Sequence, residues 1–292
     1  MRPRRTRGFW IAIILLSLTG LVIGVYLTLT VMELDRAKLR IERQNEEIEE
    51  QKELIDKKET FGAAMNGLLD TAARFEGVLI STVVPTEQFE LVAIRAWAHR
   101  WNPDALDDDI AAAELAAGEL VALLDAASAE ATTNGTGSSY ETVIDRLGAG
   151  HVASVIEDAD ATCEEEVIAC VWSDDPLTVH FDVADASLPY MTDELKEGIA
   201  YHEFAHVLQF TYPEITESAV AAFGGDVETM ADCFALTYLD GWKLDHRIFV
   251  GRYEYWDVSL GYGLTCDEAQ RQVVRDWFGQ MGYKPTPISQ TR

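Results

Sequence analysis

Apolar and polar positions change their period several times along the chain, and each change marks an element. Gly8 to Met32 runs for 25 residues without a charged side chain. At ~1.5 Å of rise per residue, a helix of that length crosses a hydrocarbon core of about 30 Å. Glu33 to Glu59 is then dense in charge, with Leu34, Ile41, Ile48 and Ile55 recurring every seven residues. The companion heptad positions, Ala37, Gln44, Gln51 and Lys58, are mostly polar, so only half of a coiled-coil seam is present. Two readings stand side by side: a solvated helical stalk, or a weak homodimer contact through that stalk.

Residues 60–131 keep a helical period through Met65, Leu68, Leu69 and Ala72, through Phe89 to Trp97, and through the alanine-rich Ile110 to Ala127. Thr132 to Ser139 is a small, polar break. Three short β-rich runs follow, His151–Ile156, Val167–Trp172 and Leu177–Val183. The last alternates, with Val179, Phe181 and Val183 on one face and His180 and Asp182 on the other. From Thr192 onward the pattern is helical. The order of elements predicts an α+β fold in which a small sheet backs a pair of helices. The expected divisions are a tail over 1–8, a transmembrane helix over 9–32, a stalk over 33–59, a helical segment over 60–131, a linker over 132–139 and a domain over 140–292.

Charge sharpens the picture at the N-terminus. Arg2, Arg4, Arg5 and Arg7 precede the apolar run with no acid among them, which places the N-terminus in the cytoplasm and the rest of the chain outside it. A cleaved signal peptide would have a shorter apolar region ending in a small-x-small site, and Thr28 to Met32 offers none. A retained single-pass anchor in the cell membrane is therefore expected. The whole chain carries 50 acidic and 23 basic residues, a net charge of −27. With +4 on the tail and −3 on the stalk, residues 60–292 hold −28. So acidic a surface repels a phosphate backbone and excludes nucleic acid as a partner.

Two further clusters are read from residue type. Asp107, Asp108 and Asp109 lack EF-hand spacing, so they are taken as helix-start residues favoured by the macrodipole rather than as a calcium site. Cys163, Cys170, Cys233 and Cys266 make an even number in an exported region, which favours disulfides. The local pairing Cys163–Cys170 leaves Cys233–Cys266, whose loop closure is worth roughly 3–4 kcal/mol. A four-cysteine zinc site lacks the paired C-x2-C spacing.

The chemistry centres on His202-Glu203-Phe204-Ala205-His206. The segment has Thr192 as N-cap, Asp193 and Glu194 in its first turn, and Pro213 as its stop. His202 and His206 lie one helical turn apart, so both rings project from one face and can meet one metal ion. Leu195, Ile199, His202, His206 and Phe210 form one stripe, expected to be buried. Glu203 sits beside the pair as general base.

A third ligand is required, and spacing narrows the choice. Gln209 and Tyr212 stand where a metzincin would have its glycine and third histidine. Beyond the Gly224-Gly225 turn, Asp226 can cap a helix that carries Glu228 in its first turn and Asp232 on the same face. Glu228 is then the ligand, and Asp232 can accept the free ring N–H of a ligating histidine. Glu214 and Glu217 are rivals for the third ligand. The two motifs, His202 to Gln209 and Glu228-Thr229-Met230-Ala231-Asp232-Cys233, resemble those of the neutral zinc metallopeptidases of bacteria, gluzincin-type proteins. The resemblance covers about residues 192–270. It implies a minimal zincin-like fold, one zinc ion on His202, His206 and Glu228, Glu203 as catalytic base, Asp232 in support, and Cys233 in a bridge.

The expected activity is peptide-bond hydrolysis by a membrane-anchored extracytoplasmic zinc metallopeptidase acting on a peptide or protein substrate. His246, placed in the next helical stretch, is the expected oxyanion donor, with Tyr238, Tyr253 and Tyr255 competing and His180 as a cleft-lining alternative. The other reading is a metal-binding but non-hydrolytic module for envelope assembly or sensing. An intact Glu203 between the histidines favours the enzyme.

Overall fold

In the computed structural model, which describes residues 6–134, 136–163, 167–262 and 266–285, the chain opens with one unbroken helix, α1 (Thr6–Ala73). Its 68 residues make a rod of about 100 Å. The apolar first third is long and apolar enough to cross a membrane and touches nothing else in the chain. Arg2, Arg4 and Arg5 lie outside the described residues. The helix does not break where its composition changes, because no glycine–proline punctuation follows Met32 or Glu59.

From Lys57 onward α1 meets a partner. Met65, Leu68, Ala72 and Phe75 pack on Phe89 and Val92 of α2 (Thr86–His99) and on Ala113, Ala116 and Leu120 of α3 (Pro103–Thr133). The aspartate cluster has a different role from the expected one. α3 starts four residues earlier, with Asn102 as N-cap and Pro103 in its first turn. Asp107 pairs with Lys57 of α1. Asp109 is completely buried, accepting from Arg95 Nε and, at 2.8 Å, from His99 Nδ1. These carboxylates join helices rather than start one.

The polar run after α3 is short and pinned. Ser138 and Glu141 form a capping box for α4 (Ser139–Gly148), the Thr136 hydroxyl bonds Glu141, and the Asn134 amide bonds Asp145. The sheet follows, with β1 (Ala153–Glu157), β2 (Ala169–Trp172) and β3 (Asp175–Asp182) in the order β1-β3-β2. β3 is central, parallel to β1 and antiparallel to β2. Val179 and Phe181 turn into the core, where Tyr140 stacks on Phe181 at 4.1 Å. Val183, expected on that same face, instead begins the short α5 (Val183–Ala186), capped by Asp182, and is exposed.

α6 (Asp193–Thr211) runs under this sheet, with Thr192 accepting from the Leu195 N–H. The histidine stripe is buried at Leu195, Ile199 and His206 and largely at His202, but burial is not confined to it. Leu195, Ala200, Phe204, Ala205, Val207 and Leu208 are all fully buried, so α6 is covered nearly all round, while Phe210 at its end emerges to 36% exposure. Gly198 lets Trp242 lie against the helix, since a Cβ there would sit 2.1 Å from the indole. Pro213 begins α7 (Pro213–Val220), Gly224 and Gly225 turn the chain with φ of 71° and 86°, and Asp226 caps α8 (Val227–Tyr238).

The helical expectation beyond Thr192 fails at one place. β4 (Asp245–Phe249) and β5 (Tyr255–Ser259) form an antiparallel hairpin. Ile248 and Val258 face the protein while charged Arg247 and Asp257 pair on the outer side, an alternation masked by charge. α9 (Glu268–Phe278) closes the domain, with Trp277 donating to Thr216 at 3.0 Å. Both expected disulfides are formed, Cys163–Cys170 and Cys233–Cys266, so no cysteine is left to bind metal. The two ends of the folded part are laced together: Tyr283 pairs with Val78 at 2.9 Å, and the Tyr212 hydroxyl accepts from Ser81 N–H at 2.8 Å.

Candidate metal centre

α6 presents His202 and His206 one turn apart, and α8 brings the Glu228 carboxylate against both. Asp226 holds the start of α8 by accepting from the Glu228 and Thr229 N–H groups at 3.0 and 3.3 Å, which aims Glu228 from the first turn across to α6. Its Oε2 lies 3.1 Å from His202 Nε2 and 3.1 Å from His206 Nε2, and the two ring nitrogens are 3.1 Å apart. Atoms held 2.0–2.2 Å from one ion at tetrahedral angles are roughly 3.3–3.6 Å from each other, close to this triangle. These three side chains can hold a metal ion.

The far sides of both rings show why the triangle needs a cation. His202 Nδ1 lies 2.9 Å from Asp232 Oδ1, and a carboxylate can only accept, so Nδ1 carries a proton. His206 Nδ1 lies 2.8 Å from Gln209 Oε1, and that amide is oriented by its own donation to Val227 C=O at 3.0 Å. Both Nε2 lone pairs therefore point at each other and at a carboxylate oxygen. Positive charge is required at their meeting point.

Electrostatics says the same. Burial pulls the His202 pKa down, but hydrogen bonds to Asp232 and Glu228 and the charge of Glu203 outweigh it and raise it to about 10. Burial opposes ionisation of Glu228 too, yet its bonds to the two rings hold it far below the usual carboxylate range. Without a metal ion, a proton on His202 serves as the cation. Glu203 is the contrasting carboxylate: burial pushes its pKa up, against the two histidines, and its Oε2 has no partner among the described residues.

His202, Glu203 and Asp232 line one side of a cleft of about 280 Å³. Val167 to Ala169, leading into β2, form one wall, and Trp242 and the Leu260–Tyr262 segment form another. Gly261 has φ of 127°, and any Cβ there would sit 2.7 Å from Asp232 Oδ2. That close approach lets Tyr262 N–H donate to the same oxygen at 2.7 Å. The Tyr262 ring stacks on His202 with centroids 6.0 Å apart. Partial burial, then the charges of Glu228 and Glu203, push this phenol up to about 12.

Each metal-binding histidine thus has one supporting bond: Asp232 for His202 and Gln209 for His206. Only Asp232 was expected. Gln209 stands three residues past His206, within reach along a helix, whereas Tyr262 has no local signal and arrives through the hairpin. His246 is not in the cleft: it lies on β4, its ring on Trp242 at 4.6 Å and its Nε2 on the Lys243 carbonyl. A helix would have pointed it elsewhere; strand alternation turns it onto Trp242. Tyr238 packs between Phe234 and Phe278, Tyr253 and Tyr255 are exposed, and Glu214 and Glu217 are exposed on α7. His180 bonds Glu157 at 2.8 Å on the far side of the sheet. Comparison with protein-family models, with curated proteins and with solved structures finds no match to the chain.

Proposed function

We propose that this chain is a membrane-anchored, extracytoplasmic zinc metallopeptidase that hydrolyses peptide bonds with Glu203 as general base. The reading rests on one conjunction: three lone pairs converge at 3.1 Å, and beside them a buried carboxylate keeps one oxygen without a partner among the described residues. Two imidazoles and a carboxylate are a donor set that suits zinc. When bound, such an ion supplies Lewis acidity, lowering the pKa of water and polarising a carbonyl. The four N-terminal arginines ahead of an uncharged run of 25 residues support the orientation.

The chain's own residues do the rest. Glu203, its pKa raised by burial, takes a proton from water and returns it to the leaving amine, a role worth roughly 10²–10⁴-fold. Among the described residues β2 pairs only with β3, so its free edge at the cleft can take an extended peptide as an added strand. Tyr262, in place of His246, offers its hydroxyl to the oxygen that becomes negative. Asp232 and Gln209 hold each ring in the tautomer that exposes Nε2.

The test uses the full chain in detergent with one equivalent of zinc and a diverse peptide library. The wild type is expected to cleave, and Glu203→Gln to keep its zinc while losing at least about 10²-fold in rate. Zinc retention without cleavage of any peptide would leave the binding-only module for envelope assembly or sensing as the better account.

A further inference from the structure

The described residues leave apolar side chains of α1 and α2 uncovered. Leu34, Ile41, Ile48 and Ile55 are each more than half exposed along the straight stalk. One turn past Ile55, Lys58 lies over the Trp101 ring at 4.1 Å, and Arg100 lies over Trp97 at 4.6 Å. Trp101, in the turn after α2, and Trp97, Ile94 and Leu91 on α2 have exposures of 71, 62, 64 and 64%. Eight large apolar side chains are thus left exposed along the stalk, α2 and the turn after it, and exposed apolar residues in such number mark an interaction surface.

The charges flanking the stalk select its partner. With the four aliphatic residues at heptad position a, Glu33, Arg40, Glu47 and Leu54 stand at g, and Lys38, Asn45, Lys52 and Glu59 at e. In a parallel, in-register pair each g residue faces the e residue five positions on in the other copy. The facing pairs become Glu33 with Lys38, Arg40 with Asn45, Glu47 with Lys52, and Leu54 with Glu59. Two are attractive and none is like-charged. Two copies entering one membrane from the same side can meet only in parallel.

We propose that the chain forms a parallel, in-register homodimer through residues 33–59, in which the Leu91–Trp101 face meets the same face of the second copy. A two-fold axis along the stalk makes that contact self-complementary, and the aromatic–cationic cluster beside Ile55 lies against it. Gln44 and Gln51 at the companion positions make the seam weak for free chains. Two anchors sharing one bilayer raise the effective concentration enough to close it. The proposal does not rest on the metal-centre reading.

All four native cysteines are paired, so one introduced thiol reports one contact. The full chain is reconstituted at low density in phosphatidylcholine vesicles and oxidised mildly. Ile48→Cys is expected to link into dimers at least about tenfold faster than Glu46→Cys on the opposite face, and Trp97→Cys to link as well. In the Ile48→Cys background, Glu47→Lys and Lys52→Glu should each slow linkage several-fold, and the two together restore it. Equal rates at positions 46 and 48, faster linkage at 46, or no recovery in the double reversal would overturn the parallel seam. Absence of linkage at Trp97→Cys would overturn the contact between the α2 faces.

Discussion

Two clusters in this molecule are built from the same residue types and end in opposite states. In the helical segment, Asp109 is completely buried with His99 at 2.8 Å and Arg95 beside it. Every acceptor there faces a donor, so the cluster is complete. At the α6–α8 contact, His202, His206 and Glu228 are also histidines against a carboxylate, but three acceptor atoms converge at 3.1 Å. Asp232 and Gln209 have already taken the Nδ1 protons. A histidine–carboxylate cluster is therefore not a metal centre by composition. What distinguishes one is where the protons are held.

This contrast can be broken at several points. The largest effect is expected at the open cluster: Glu228→Ala or His206→Ala should lower bound zinc from one per chain to near zero by elemental analysis, while Arg95→Met leaves it unchanged. Arg95→Met should instead cost about 3 kcal/mol in stability by denaturant titration, because it strips a buried carboxylate of its main partner. A fall in zinc content with Arg95→Met would mean that the two clusters are coupled. Chelation comes next. Metal present at a hundredfold excess over its Kd stabilises by about 2.7 kcal/mol, so its removal should lower Tm by roughly 5–10 °C. No shift would mean that the open cluster holds nothing.

Asp232→Asn and Gln209→Leu sharpen the comparison by disturbing only the Nδ1 partners, and each should weaken metal affinity about 10–100-fold by competition titration. Unchanged affinity in both would show that the rings are oriented by packing alone. The smallest effect belongs to a third histidine–carboxylate pair. Hydrogen bonds from His180, then Thr162, hold the Glu157 pKa below its ordinary value of 4.5. Because the folded value is depressed, the contribution is present above that pH and is lost as pH falls through the folded value. The Tm gap between wild type and His180→Ala should therefore exist near pH 6 and close in stronger acid. A gap constant with pH would assign it to packing.

Local periodicity explains what could be read before the fold was known. The two histidines lie four apart on one helix, Thr192 and Asp226 are caps, Gly224-Gly225 is a turn, and Glu228 and Asp232 share a face, all within a few residues of sequence. The hairpin was lost because Arg247 and Asp257 interrupt its apolar pattern, and with it went Tyr262 and the true position of His246. Asp109 was misread for a related reason: its partners are 10 and 14 residues away on another helix.

The sequence by itself determined the apolar N-terminal helix and the His202–His206 pair on one helix face, and it favoured the two disulfide pairs and Glu228 as third ligand over Glu214 and Glu217. Each is a matter of spacing along a regular element or of composition. Only the tertiary structure decided that α6 is covered nearly all round, that Glu203 keeps an oxygen unpartnered among the described residues, that Gln209 braces His206 and that Tyr262 stacks on His202. Burial and proton placement depend on what lies across space from a residue, and neighbours in space are not written in neighbours along the chain.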